Sequence, residues 1–219
     1  MKMKEGMIYD TNYYQIREMN LYRMKEIIDL NKESKPGGTL FYGDSLTELC
    51  DLKKYYPEID NIINSGMCGI TIDLLLNFVD EGVLKFKPSK VIIMAGTNDL
   101  GETTNRSPRD IALLMKDLVE IIHYNLPECK IYLCSCLPCL RHEEYKYGGR
   151  GIRSNEILKM IFDEYQKIIR YEYVTLINVF DALVEDGKVI EEAYRDGLHV
   201  NDYGYKLIHD VIKKEILKG

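Results

Sequence analysis

Four short segments, far apart in the chain, carry side chains that together could cleave an acyl bond through a serine. They are FYGDSLT at 41–47, NSG at 64–66, GTND at 96–99 and DGLH at 196–199. The first offers a hydroxyl nucleophile, and the second and third offer N–H donors for a developing oxyanion. The last offers an imidazole base and a carboxylate that could orient it. Each segment is weak evidence alone, so the elements that position them matter.

Ser45 lies at a predicted junction between a strand and a helix. Residues 39–42 form a short apolar run, and residues 46–56 have helical character. The N–H groups at the start of a helix are unpaired and the helix dipole favours negative charge there. Gly43 suits the tight turn between the two elements. The simpler alternative is that Asp44 or Ser45 only caps the helix.

Gly66 and Asn98 each follow a strand-like run. Residues 59–63 precede Gly66, whose N–H can approach a ligand closely because no Cβ intervenes. Residues 90–95 form the clearest buried strand, and the amide of Asn98 behind it can donate hydrogen bonds without a change of charge. The alternatives are an ordinary strand-to-helix turn that needs glycine and an Asx turn at Asn98.

His199 follows Asp196 by three residues, in a polar turn before a predicted last helix at 203–217. From one loop, the histidine could approach Ser45 as a base with the aspartate behind it. A lone histidine in a loop is more often simply solvated.

The predicted sheet brings these segments together. Apolar strands alternate with amphipathic helices, at 108–124 and 154–171 for example, which indicates a parallel α/β sheet. Ligands of such sheets bind beyond the carboxyl ends of the strands. Three of the segments follow strand ends, and the fourth follows a last strand at 173–179. One crevice could therefore collect all four.

With these residues in place, the chain resembles the SGNH (GDSL-type) hydrolases, from residue 39 to about 218. The family is named for one Ser, Gly, Asn and His, which here would be Ser45, Gly66, Asn98 and His199. The run DGLHVNDYG at 196–204 is close to the family's Asp-Gly-x-His-x-Asn-x-x-Gly.

This resemblance implies a flavodoxin-like, three-layer α/β/α fold with a central, mostly parallel sheet. It also implies esterase, lipase or acetylesterase chemistry with no metal or other cofactor. Ser45 would attack the acyl carbon, with His199 and Asp196 behind it. The oxyanion hole would be the N–H groups of Ser45 and Gly66 and the side chain of Asn98.

The first 38 residues have no part in the family motifs. We therefore expect an N-terminal extension at 1–38 and a hydrolase domain at 39–219. Apolar residues near helical spacing at 14–30 predict an extra helix, which packs on the domain or on a second copy of the chain. The formal charge of −6 suggests neither a nucleic acid nor a membrane partner. No apolar signal segment is visible, so a cytoplasmic protein is expected.

The sharpest competing signal is a cluster of Cys129, Cys134, Cys136 and Cys139, with His142 beyond it. Such spacing can ligate zinc or an iron–sulfur cluster, which would indicate a metal-binding or redox protein. The favoured alternative is a strand at 131–137 that buries Cys134 and Cys136 on one face.

The leading hypothesis is a serine esterase for small acyl esters, such as acetyl groups on a carbohydrate. A lysophospholipase or a thioesterase of the same family is the alternative, and a non-catalytic binding module ranks last. Asp44, Cys68 and Cys139 are candidates for lining the substrate pocket, because they lie next to the nucleophile, two residues after the oxyanion glycine Gly66 and at the expected carboxyl end of a strand.

Overall fold

The computed structural model describes residues 17–101, 104–140 and 152–218. Its centre is a sheet of five short strands, whose sequences are mostly apolar because helices cover both faces. The strands are β1 (Thr39–Gly43), β2 (Ile62–Gly66), β3 (Lys90–Met94), β4 (Lys130–Cys134) and β5 (Val174–Ile177). They pair in the order β2-β1-β3-β4-β5, and every pairing is parallel. This is the flavodoxin-like order, so the predicted fold class is confirmed.

Helices form the two outer layers. Their bounds are α1 (Glu18–Glu33), α2 (Ser45–Glu48), α3 (Leu52–Tyr55), α4 (Ile72–Gly82), α5 (Pro108–Asn125), α6 (Asn155–Ile168) and α7 (Asp202–Ile216). Alternate residues of a strand point to opposite faces. Leu40 and Tyr42 therefore join the core beneath α1, α4, α5 and α6, whereas Phe41 joins the core beneath α2, α3 and α7. A small antiparallel hairpin, β6 (Val184–Glu185) and β7 (Lys188–Val189), precedes α7.

The helices α5, α6 and α7 each begin after a residue whose side chain caps them. Ser107 accepts a hydrogen bond from the N–H of Asp110, and Pro108 occupies the first turn of α5. The single helix predicted at 46–56 is instead two helices. The chain is interrupted at Asp51, whose side chain accepts from the N–H of Lys54 and so starts α3 anew.

The extra N-terminal helix is present as α1, and it packs on its own domain. Ile27 is completely buried in the core that α4 shares. Leu21 and Tyr22 stay exposed to solvent, and Met19 is half-exposed at the start of the helix. The first residues of the predicted segment, 14–16, lie outside the described residues. In the part of the chain that is described, no helix combines the length and the apolarity that crossing a membrane requires.

The tightest packing beside the nucleophile is at Gly43, which should tolerate no side chain. A Cβ there would lie 2.1 Å from the carbonyl oxygen of Met94 and 2.6 Å from Oγ1 of Thr47. Backbone atoms of two paired strands cannot move apart without loss of hydrogen bonds. We expect Gly43→Ala to destabilise the protein by about 2 kcal/mol or more. Chemical denaturation measures this. Gly187→Ala, where no atom lies within 4 Å but φ is +74°, gives the cost of an unfavourable backbone conformation without a clash, and Gly43→Ala should cost more. Equal stabilities of the two variants would contradict the argument.

Candidate active site

The nucleophile candidate is the first residue of α2. β1 ends at Gly43, Asp44 caps the helix, and Ser45 follows with its side chain almost completely buried. Its Oγ lies 3.0 Å from Nε2 of His199. The Ser45 N–H has no acceptor within the described residues, as expected for the first turn of a helix.

His199 and Asp196 lie in the loop before α7. An antiparallel β-bridge between Tyr194 and Val200 joins the two ends of this loop. Nδ1 of His199 lies 2.8 Å from Oδ2 of Asp196. An ionised carboxylate only accepts hydrogen bonds, so Nδ1 carries the proton and Nε2 is left to accept one from Ser45. The three side chains therefore form a continuous hydrogen-bonded chain from hydroxyl to carboxylate.

The carboxylate of Asp196 is held in its ionised form. Burial acts to raise its pKa, but hydrogen bonds from the backbone N–H of His199 and of Leu198 and from the His199 ring lower it below its usual value. The spacing of three residues is thus explained by a loop in which one carboxylate oxygen binds backbone and the other binds the ring.

Asn98 follows β3 and faces the same cleft. Its Nδ2 donates to the carbonyl oxygen of Ile70 at 2.9 Å. An amide NH₂ has two hydrogens, so this bond fixes the side chain and leaves the second hydrogen for a ligand. Asn98 begins a short 3₁₀ turn, Asn98–Leu100, as β3 leaves the sheet.

Gly66, the predicted oxyanion donor, is not brought into the cleft. Its N–H donates to Oδ1 of Asn64 at 3.0 Å, and its carbonyl accepts from Arg23. A Cβ at Gly66 would lie 2.3 Å from the backbone nitrogen of Glu48, so this glycine permits close packing of β2 against α2.

Gly69, three residues further on, takes the position expected of Gly66. It lines the cleft, has a φ of +70°, and its N–H finds no acceptor among the described residues. Glycine adopts this left-handed conformation without strain. The segment NSGMCG contains both glycines, and the nearness of Gly69 to the start of α4 was the available signal for choosing it.

Of the three pocket candidates, the structure places only Cys68 in the cleft. Its backbone N–H donates to the carboxylate of Glu48, and burial together with that carboxylate raises the pKa of its thiol to about 12. Asp44 lies behind Ser45, 1% exposed, where its Oδ1 accepts from the N–H of Leu46 at 2.9 Å. Burial raises the pKa of Asp44 to about 7.

The prediction for Cys139 is wrong. Its side chain is fully buried in the core, and its backbone N–H and carbonyl are both bound by the amide of Asn155. The reason is that β4 ends at Cys134 rather than at 137, so the chain leaves the sheet earlier and turns inward beneath α6.

The early end of β4 also places the cysteines on different sides of the sheet. Cys134 packs in the core on one side of the sheet, and Cys136 and Cys139 pack on the other, so the prediction of a shared face for Cys134 and Cys136 is wrong. Ser135 ends the strand by accepting hydrogen bonds from two backbone N–H groups of the chain that follows β5. Across residues 17–101, 104–140 and 152–218, no three His, Cys, Asp or Glu side chains group as a metal site. His142 lies outside those ranges.

Sequence analysis missed a buried ion pair that positions Asn98. Asp99 is completely buried. Nη1 of Arg106 lies 2.6 Å from Oδ1 of Asp99 and 2.8 Å from Oδ1 of Asp73. The Asp99 carboxylate also accepts from the N–H of Ile72, the first residue of α4. Burial raises the pKa of Asp99 to about 6, although Arg106 acts to lower it. This network locks the loop of Asn98 to the loop of Gly69.

The resulting cleft has a volume of about 450 Å³. It is lined by Arg17, Met19, Ser45, Leu49, Cys68, Gly69, Thr71, Asn98, Gly101, Arg153, Asp196, Leu198 and His199. Two of these residues, Arg17 and Met19, come from the N-terminal extension.

The chain is similar to proteins of known structure. A protein from Streptococcus pneumonia whose name refers to platelet activating factor has a TM-score of 0.83 and 27% identity, with 91% of this chain and 93% of that chain covered. A GDSL-like lipase from Bacteroides thetaiotaomicron has a TM-score of 0.74 and 21% identity, over 89% and 97% of the two chains. A carbohydrate acetylesterase from Sinorhizobium meliloti has a TM-score of 0.66 and 19% identity, over 84% and 99%. A search of curated proteins finds no match.

The sequence also matches a family model, that of the GDSL-like lipase/acylhydrolase family, over residues 41–207. The matched region spans β1 to α7 and includes every residue of the hydrogen-bonded chain from Ser45 to Asp196. On this match and the shared fold, the chain belongs to the GDSL-like lipase/acylhydrolase family and is a carboxylic ester hydrolase.

Proposed function

We propose that this protein is a serine esterase that hydrolyses small acyl esters through an acyl-enzyme on Ser45. The observation that carries the proposal is the hydrogen-bonded chain from Ser45 Oγ to His199 (3.0 Å) and from His199 to Asp196 (2.8 Å). It opens onto a cleft lined by Ser45, Gly69 and Asn98, and the N–H groups of the first two and the amide of the third would be the donors for an oxyanion.

The proposed reaction has two halves. In the first, Nε2 of His199 takes the proton of Ser45 as the oxygen attacks the acyl carbon, and the protonated imidazole then gives that proton to the departing alcohol. In the second, water loses a proton to His199 as its oxygen attacks the acyl carbon, and the imidazolium then returns that proton to Ser45 Oγ as the carboxylic acid departs. Asp196 keeps its charge throughout and stabilises the imidazolium.

Both tetrahedral intermediates carry a negative oxygen, which in this proposal accepts hydrogen bonds from the three donors. Gly69 replaces Gly66 in this proposal, because the N–H of Gly66 is already bonded to Asn64. The helix dipole of so short a helix as α2 adds little, so the direct donors supply the stabilisation.

The lining of the cleft supports a short acyl group. Of the described residues around Ser45, many are small or polar, such as Gly69, Thr71 and Gly101, and only Met19, Leu49 and Leu198 are large and apolar. A long acyl chain would need more apolar surface than this. Acetyl esters of carbohydrates fit the proposal, and the acetylesterase described above shows that the fold accommodates such an activity.

The cytoplasm is the compartment we propose. All six cysteines are free thiols, five of them buried, which is usual for a protein of a reducing compartment.

Ser45→Ala should lower ester hydrolysis by about 10³-fold or more, because no other group can carry the acyl intermediate. The rate is measured with p-nitrophenyl acetate. A fluorophosphonate probe should label the wild type at Ser45, as read by peptide mass spectrometry. Ser34→Ala, which removes an exposed hydroxyl at the end of α1, is the matched control and should retain full activity. Labelling at another serine would overturn the assignment.

His199→Ala should be nearly as damaging as Ser45→Ala. Asp196→Asn should cost about 10²-fold less than His199→Ala, because Asp196 orients and stabilises the ring without taking its proton. The double variant of Ser45 and His199 should be little worse than either single variant in kcat. His123→Ala, which removes a ring stacked on Tyr173 away from the cleft, controls for loss of an imidazole. Multiplicative losses in the double variant would show that the two residues act separately.

Asn98→Ala should lower kcat about 10²- to 10³-fold with little change in KM, because its free amide hydrogen binds best once the oxyanion has formed. Steady-state kinetics on a short-chain ester gives both constants. Asn125→Ala, which likewise removes an amide bound to a backbone carbonyl, but at the end of α5, should leave both unchanged. A raised KM with normal kcat would mean that Asn98 binds the substrate in its ground state.

A further inference from the structure

The N-terminal helix α1 lies outside the matched family region, yet it is bonded directly to the active-site loop between β2 and α4. Asn20 donates from Nδ2 to the carbonyl oxygen of Cys68 at 2.8 Å. Arg23 donates from Nε to the carbonyl of Gly66 at 2.9 Å and from Nη2 to that of Asn64 at 2.8 Å. These side chains are mostly buried, so the bonds fix the start of α1 relative to Gly69.

That attachment places Arg17 over the cleft. Its Nη1 lies 3.5 Å from the point that a Cβ on Gly69 would occupy, next to the proposed oxyanion donor. The backbone N–H of Arg17 is bonded to Asn20, which holds the first turn of α1. Within the described residues, the Arg17 guanidinium has neither a hydrogen-bond acceptor nor a carboxylate partner.

The charges that line the cleft are predominantly positive. Arg17 and Arg153 both line it, and among the described lining residues the only carboxylate is that of Asp196, which is bonded to His199. Glu48 lies behind the loop, where it binds the N–H of Cys68, and Arg23 lies near the same residue. Among the described residues, a substrate in the cleft therefore meets the positive charge of Arg17, which no carboxylate there neutralises.

We propose that Arg17 is a specificity residue that selects esters carrying a negatively charged group close to the scissile bond. A guanidinium binds carboxylate, phosphate or sulfate through paired N–H donors. This inference rests on the proposed esterase function and adds to it the charge of the substrate. The anionic group belongs to the acyl part or to the alcohol part, and the experiment separates the two.

The test compares two pairs of esters that differ mainly in one negative charge. The p-nitrophenyl monoester of glutaric acid against p-nitrophenyl valerate probes the acyl side, and 4-acetoxybenzoate against phenyl acetate probes the alcohol side. The rate of Ser45→Ala is subtracted as background. We expect kcat/KM to favour the anionic member of at least one pair by about tenfold at low salt, and added NaCl to reduce the preference.

Arg17→Gln should lower that preference about tenfold, whereas Arg17→Lys should keep most of it because the charge remains. Arg170→Gln removes the same charge at the opposite edge of the sheet, before β5, and should leave the preference unchanged. A merely structural role for Arg17 would lower both members of a pair equally and would not be rescued by lysine. Thermal unfolding of each variant verifies that α1 still folds.

Two failures are distinguishable. If the wild type hydrolyses neutral esters through Ser45 but favours the anionic member of neither pair, or if Arg17→Gln keeps the preference, the inference about Arg17 is wrong and the esterase function stands. If no ester is hydrolysed in a manner that depends on Ser45, the proposed function itself is wrong.

Discussion

The parallel register of β1 with its two neighbours is the constraint on which the site depends. Gly43 pairs with Gly66 on one side and with Met94 on the other, so three strands end at one level of the sheet. The loops that follow therefore start side by side, and each contributes one part of the cleft. Because a Cβ at Gly43 or at Gly66 would overlap neighbouring backbone, both glycines are needed for this close approach rather than for contact with a ligand.

Buried charge holds these loops together at a cost in desolvation. Asp99 is fully buried and is compensated by Arg106 and by the N–H of Ile72. Removing one partner of such a pair would leave an uncompensated charge, which costs far more than the pair contributes. The network thus makes the position of Asn98 dependent on that of Gly69, and an oxyanion hole needs such fixed relative positions because donors that must reorganise stabilise little.

The N-terminal helix, which precedes the region that matches the family, also fixes the position of a loop at the cleft. Its polar side chains satisfy backbone carbonyls at the end of β2 and in the loop that follows, part of which lines the cleft. Carbonyls that are buried without partners are costly, so the helix stabilises the loop as it covers it. In this way a segment without any motif comes to line the cleft with Arg17 and Met19.

The sequence alone determined the fold class and predicted four residues that the structure brings to one cleft, Ser45, Asn98, Asp196 and His199. Each of these follows a recognisable element in a short motif, and parallel strands necessarily bring their carboxyl ends to one edge. Tertiary structure decided what local pattern could not. Which of two nearby glycines offers its N–H depends on what else takes that hydrogen bond, and Asn64 takes that of Gly66. The burial of Cys139 depends on where β4 ends. The placement of Arg106 depends on its contact with Asp73, 33 positions away, and that of Arg17 depends on its contact with Gly69. Periodicity and spacing carry no information about such long-range contacts, because they arise only once the chain has folded.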